Sequence, residues 1–346
     1  MTDNITIKNI YYMLAYAFQI LKEQSYRKLA TENFYNIDEL CAAIISKAIS
    51  LLIKRGIGRE YIEQSESLSL IRGRIEITQS IKTMSHINKK LICSYDDFSE
   101  NSYTNKIIKT TIFHLLRKNI DSQYKKSLKR LIGYFNDVDF LDINSINWNI
   151  KFNRNNQHYQ LILYICYLFI NKLLQNKSDG KNKTMDFFDE QSMCRLYEKF
   201  ILKYYQKEFP KISAKSSKIP WAIENTNANY NFLPDMQSDI MLTNKNKVLI
   251  IDAKYYSQST IKNFDKDRLH SSNLYQIFTY VKNKAYESPD KIVSGMLLYA
   301  KTNDTKLIKP LNYKIAGNNI HIETLDLNCD FNEIKGQLNE IAKLIE

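Results

Sequence analysis

The sequence predicts a two-domain α+β chain. A mainly helical N-terminal domain with an extended β-arm precedes an α/β domain whose mixed central sheet is flanked by helices. Three observations carry that expectation. All five prolines (Pro210, Pro220, Pro234, Pro289, Pro310) lie in the C-terminal part, so the first 209 residues lack the strongest helix breaker. Residues 61–80 and 90–98 interrupt the helical periodicity with strand-like runs, and Ile71-Arg72-Gly73-Arg74-Ile75-Glu76-Ile77 alternates apolar with polar. Around residue 240 two apolar runs flank a polar tip, the pattern of a hairpin. A chain of 346 residues suits two domains better than one and can bury a sizeable core.

Each element follows from its own pattern. Ile10, Met13, Leu14, Ala17 and Leu21 recur at helical spacing, and further helices are expected over 38–54 and 105–119. The strands between them form the arm, at about 61–100, of an N-terminal domain spanning 1–150. The second domain, 151–346, opens with an amphipathic helix at 159–175 and a polar loop at 176–184. It continues through the hairpin, a helix after Ser271-Ser272-Asn273, and a strand at 292–299. A last helix places Ile334, Leu338, Ile341 and Leu344 on one face.

Composition narrows the function. A formal net charge of +12 favours a polyanionic partner such as nucleic acid. The 24 tyrosines supply rings that can stack on bases, although most such rings line core boundaries. Five scattered cysteines without metal-ligand spacing, and an N-terminus without a secretory pattern, point to a reducing cytoplasm. The longest apolar run, 161–170, is too short to span a bilayer, so no membrane is expected. No Gly-x-x-x-x-Gly-Lys-Ser/Thr occurs, so any nucleotide-driven step belongs to a partner.

The hairpin carries the chemistry. Asp252-Ala253-Lys254 ends the run Val248-Leu249-Ile250-Ile251, and alternation puts Asp252 and Lys254 on one face of the strand. Asp239 arrives from the neighbouring strand, after the turn Leu233-Pro234-Asp235. Two carboxylates can hold a hard cation such as Mg²⁺, and a lysine beside it can orient a water or offset charge on a phosphate. Asp179-Gly180-Lys181 and Asp304-Thr305-Lys306 share the spacing but follow no apolar strand. The alternative is an edge hairpin ending in a solvated Asp–Lys pair.

This arrangement resembles the PD-(D/E)xK nucleases. Gln276 and Tyr280 are four apart on the following helix, as in the RecB-like branch, where that helix borders the active site and its residues support the metal-binding groups from behind or contact DNA. Glu198, in Cys194-Arg195-Leu196-Tyr197-Glu198-Lys199-Phe200, stands where the superfamily often carries a further metal ligand; the alternative is a helix-surface glutamate. Asp235 sits in the turn before the strand and is read as a decoy.

Along nearly its whole length the chain resembles the McrC family, the nuclease subunits of modification-dependent (type IV) restriction systems. The matching segments are Ile7-Lys8-Asn9-Ile10-Tyr11-Tyr12-Met13-Leu14-Ala15-Tyr16-Ala17, Gly73-Arg74-Ile75-Glu76, residues 233–240, Leu249-Ile250-Ile251-Asp252-Ala253-Lys254-Tyr255-Tyr256 and Asn273-Leu274-Tyr275-Gln276. The resemblance implies a catalytic set of Asp239, Asp252 and Lys254, with Mg²⁺ held by the two aspartates and the Ala253 carbonyl. It further implies a McrB-like AAA+ GTPase ring as partner, which binds the GTP and reads 5-methylcytosine in double-stranded DNA. The arm around Arg72, Gly73 and Arg74 is then expected to enter that ring and stimulate its GTPase. Two rivals stand beside it: a stand-alone RecB-like repair nuclease, and a non-catalytic activator of an AAA+ GTPase.

Overall fold

The computed structural model describes residues 7–20, 26, 29, 32, 34–178, 190–223, 232–255, 260–263, 266–301 and 310–346. The chain forms two compact units, one of residues 35–182 and one that joins 1–34 to 183–346. This division differs from the boundary expected at residue 150. The first helix, α1 (Ile7–Ala17), folds with the C-terminal half. The reason is chemical: Asn9 Nδ2 donates to the carbonyls of Leu327 (2.7 Å) and Cys329 (2.8 Å). The Tyr12 ring also stacks on Phe331 with centroids 4.1 Å apart.

The unit of residues 35–182 is helical with a β-arm. Its helices are α2 (Ile37–Arg55), the short α3 (Ile77–Lys82), α4 (Tyr103–Leu116), α5 (Ser122–Ile132) and α6 (Gln160–Ser178). Asn36, Ser102 and Asp121 accept backbone N–H bonds at the starts of α2, α4 and α5, satisfying donors a helix leaves free. Ile44 and Ile49 of α2, Ile108 and Ile112 of α4, Leu128 of α5 and Phe169 of α6 bury together.

The arm is the antiparallel pair β1 (Glu60–Leu68) and β3 (Leu91–Ser99), in register from Glu60–Ser99 to Leu68–Leu91. A two-residue strand, β2 (Arg74–Ile75), pairs with the other edge of β3. The alternating run at 71–77 therefore does not make a full strand. Gly73 turns the chain at φ +70°, and α3 begins at Ile77. The Ile92 N–H that a longer β2 would engage donates instead to Ser80 Oγ at 2.8 Å. Arg72 lies over the Tyr95 ring, 4.0 Å from its centroid, and reaches Asp97 at 3.3 Å. Arg74 Nε donates to Glu76 Oε1 at 2.8 Å, and its side chain is 79% exposed.

A buried polar node roots the arm. Tyr159 OH donates to Asn105 Oδ1 (3.0 Å) and accepts from Gly58 N–H (2.8 Å). Asn105 Nδ2 donates to the carbonyls of Gly58 (2.9 Å) and Glu100 (2.8 Å), just outside the ends of β1 and β3. Tyr159→Phe strands one donor and one acceptor, so urea denaturation is expected to show a loss of about 1–3 kcal/mol at unchanged m-value.

The other unit is a mixed sheet between helices. Its strands are β4 (Ser213–Lys215), β7 (Ile240–Asn244), β8 (Lys247–Lys254), β11 (Ile292–Lys301), β12 (Leu311–Ile315) and β13 (Asn318–Asp326). They lie in the order β12-β13-β11-β8-β7-β4, with β11 parallel to both β8 and β13 and the remaining pairs antiparallel. Small pairs complete it: β5 (Lys218–Ile219) with β6 (Met236–Gln237), and β9 (Thr260–Asn263) with β10 (Lys266–Leu269).

Val248 and Ile250 of β8 bury against α8 (Ser271–Glu287) through Ile277 and Val281. Leu249 and Ile251 point the opposite way and are equally buried, so both faces of the sheet are covered. The other covering helices are α7 (Glu190–Glu208), against which α1 packs, and α9 (Phe331–Lys343). Tyr205 OH of α7 donates to the Leu338 carbonyl of α9 at 2.9 Å. On the last helix Ile334, Leu338 and Ile341 are buried as expected, but Leu344, just past the helix end, is 38% exposed and Ile345 is buried in its stead. Of the loop expected at 176–184, residues 176–178 continue helix α6 and the rest lies outside the described residues, as do Leu21, Tyr256 and the other two Asp-x-Lys tripeptides. Among the described residues no helix is long and apolar enough to cross a membrane.

Candidate active site

The β7–β8 hairpin turns tightly, with Lys245 at φ +46°, and its register pairs Ile240 with Ile251. One step further the ladder would match Asp239 with Asp252, but β7 has ended. The Asp239 side chain takes over: its Oδ2 accepts the Ala253 N–H at 2.9 Å. The two aspartates are thereby held at one end of the sheet.

Asp252 is 1% exposed, and neither of its carboxylate oxygens has a hydrogen bond. Lys254 Nζ lies 2.8 Å from Asp252 Oδ2 as an ion pair, and the Asp239 carboxyl is close enough to couple to it. Burial pushes the Asp252 carboxyl up to about 7; Lys254 opposes the shift and Asp239 adds to it. Asp239 is also raised, by burial first, against the pull of the Ala253 N–H and Lys254.

Lys254 Nζ donates to Gln276 Oε1 at 3.2 Å, and Gln276 Nε2 donates to Tyr280 OH at 3.0 Å. One turn of α8 therefore positions the ammonium. Gly295 makes the approach of α8 possible, since a Cβ there would stand 2.7 Å from Val281 and 2.8 Å from Ile277.

Glu198 of α7 joins the same neighbourhood. It lines a cleft of about 400 Å³ with Arg195, Lys199, Leu202, Ser216, Gln237, Ser238 and Asp239. Its carboxyl is raised to about 7, by burial first and then by Asp239, with Asp252 adding to it and Lys254 opposing. Asp235 stands apart, 82% exposed and paired with Lys218 at 3.2 Å. The sequence reading passed over Arg195 and Lys199 as cleft residues, although their spacing from Glu198 and Leu202 placed all four on one helix face.

The chain's own residues fit a divalent cation. Two adjacent carboxylates, both raised by burial and one wholly buried, share a single neighbouring ammonium, Lys254, and a divalent cation would offset the charge that remains. Among the described residues no group of three or more His, Cys, Asp or Glu side chains is arranged to hold a metal. The carboxylates that such an ion would meet at this sheet end are those of Asp239 and Asp252.

Comparison with known proteins agrees in one direction. Over 342 residues the chain is 28% identical to the type IV methyl-directed restriction enzyme EcoKMcrBC of Escherichia coli K12, with 97% of each chain covered. Its fold resembles a chain in the half-complex of Thermococcus gammatolerans McrB AAA+ hexamers with bound McrC. The TM-score is 0.50 at 18% identity, covering 98% of this chain and 76% of that one. The model of the McrBC 5-methylcytosine restriction system component family matches residues 2–300, most of the sequence, and the chain belongs to that family.

Proposed function

We propose that this chain is the nuclease subunit of a McrBC-like restriction complex, cutting 5-methylcytosine-containing double-stranded DNA in the cytoplasm and stimulating the GTPase of a McrB-like AAA+ ring. The carrying observation is the fully buried Asp252 carboxylate, paired with Lys254 and held beside Asp239 at a sheet end. In this reading the second unit is a PD-(D/E)xK nuclease of the RecB-like kind. Family membership and a relative of type IV restriction supply the biological setting.

Asp239, Asp252 and the Ala253 carbonyl would hold Mg²⁺, with Glu198 as a further acid in reach of the same cleft. When bound, the ion supplies a polarised water and offsets charge on the phosphate. Lys254 orients the attacking water or stabilises the crowded phosphate in the transition state. Gln276 and Tyr280 hold that ammonium in place from α8. The chain has no P-loop, so GTP belongs to the partner. A structural relative contains McrB AAA+ hexamers with bound McrC, and the arm of β1 and β3 is the element here that fits insertion into such a ring. Arg74→Ala is then expected to abolish GTPase stimulation, read as phosphate release.

The deciding assay is cleavage of cytosine-methylated plasmid by this chain with Mg²⁺ and GTP, with and without the McrB-like protein. Cleavage that needs partner, GTP and methylation together supports the proposal. Cutting by the chain alone makes it an autonomous repair-type nuclease. GTPase stimulation without any cutting makes it a non-catalytic activator.

A further inference from the structure

The cleft beside Asp239 has two unlike walls. One is a single stripe of α7, since Arg195, Glu198, Lys199 and Leu202 recur at i, i+3, i+4 and i+7. The other is Ser216, Gln237, Ser238 and Asp239, and hydrogen bonds within it fix its shape. Ser216 Oγ donates to the Ser238 carbonyl (2.8 Å) and accepts from Gln237 Nε2 (2.9 Å), while Ser238 Oγ donates to the Ser217 carbonyl (3.3 Å). A space of about 400 Å³ exceeds what a metal ion and its waters fill and falls in the range that admits a nucleotide-sized group.

Glu198 stands between the two cations on the α7 wall, and Arg195 acts on its carboxyl through space. Lys172 and Lys301, also half-buried, each pair with a carboxylate, Asp38 at 2.7 Å and Asp326. Among the described residues Arg195 and Lys199 form no such pair and donate no hydrogen bond. The Lys199 ammonium lies 3.8 Å from the centroid of the Phe18 ring, a contact that holds the group without cancelling its charge. Arg195 is exposed, Lys199 and Glu198 are half-buried, and Asp239 lies across from them. Both cations therefore share one cleft with the carboxylates of Glu198 and Asp239. A polyanion lying in this cleft meets Arg195 and Lys199, one helical turn or about 6 Å apart.

We infer that Arg195 and Lys199 form a phosphate-binding track for the DNA strand, gripping the backbone next to the bond that is cut. Ser216 and Gln237 line the facing wall. This rests on the nuclease reading above and adds to it the residues that hold the substrate's backbone.

The test is binding of the full chain to a fluorescent 30-base-pair duplex, with Ca²⁺ replacing Mg²⁺ to prevent cutting, followed over a range of salt. Arg195→Ala and Lys199→Ala each weaken binding roughly tenfold. The double variant lowers the slope of log affinity against log salt by about 2, one phosphate contact for each cation removed. Lys343→Ala removes a lysine that pairs with Glu340 on α9, away from this cleft, and serves as the net-charge control. The track is overturned by a double variant with wild-type affinity and slope, by an equal loss in Lys343→Ala, or by a wild-type chain showing no salt-dependent binding. The two readings fail differently. A chain that cuts methylated DNA while its double variant binds normally loses the track alone. A chain that cuts nothing with its partner and GTP loses the nuclease reading itself.

Discussion

Asp252→Asn is expected to lower DNA cleavage at least about a thousandfold, because the charge it removes pairs with Lys254 and, in the proposed reading, would hold the cation. The same substitution has a signature in the metal-free protein that loss of activity alone would not give. Unfolded, this carboxyl ionises near its ordinary value of 3.8; folded, burial holds it protonated up to about 7. Between those values the folded chain keeps a proton that the unfolded chain has released, so stability falls as pH rises. In EDTA the wild-type melting temperature should therefore decline from about pH 4 to pH 7, and Asp252→Asn should make that decline shallower, leaving the part due to Glu198 and Asp239. Adding Mg²⁺ at pH 8 should raise the wild-type melting temperature and leave Asp252→Asn unmoved, since a ligand stabilises only the state that binds it. A variant that keeps near wild-type cleavage, or melts with unchanged pH and Mg²⁺ dependence, removes Asp252 from the metal-holding role.

Much of this was legible in residue order because it depends on local periodicity. A period of two sufficed to put Asp252 and Lys254 on one strand face, and a period of four to put Gln276 and Tyr280 on one helix face. Helices α2 and α4 were legible from their apolar spacing, and Asn36 and Ser102 show where they start. What was not legible depends on contacts across the chain. The two hydrogen bonds of Asn9 span 318 and 320 residues, and no local pattern announces that the first helix closes onto the last segment. The neighbourhood of Glu198 is likewise set by how α7 lies over β7 and β8. Around residue 77 a polar–apolar alternation was overridden by one left-handed glycine and one serine hydroxyl, each able to end a ladder.

That glycine yields the second large expected effect: Gly73→Val reduces stimulation of the partner GTPase to its basal rate. At φ +70° a β-branched residue is strained, and the space is also closed. A Cβ at residue 73 would stand 2.3 Å from the Ser94 carbonyl oxygen and 2.7 Å from Tyr95 Cβ, atoms of a paired strand that cannot move aside without breaking the arm. The segment must lift off β3 instead. Arg72 then loses the Tyr95 ring and Asp97, and the pairing of Arg74 and Ile75 with Ser94 and Cys93 is lost with it. Because most side chains of 70–77 are exposed, the loss should be local, and the melting temperature of the rest should change little. The Mg²⁺-dependent stabilisation assigned to Asp252 should persist, since Asp239, Asp252 and Lys254 belong to the other compact unit. Gly73→Val with full GTPase stimulation would show that the arm does not act on the ring. Loss of stimulation together with loss of the Mg²⁺ effect would point to general misfolding. Only loss of stimulation with the Mg²⁺ effect intact separates the two tasks along the chain, ring activation in the arm and phosphodiester hydrolysis at the sheet end.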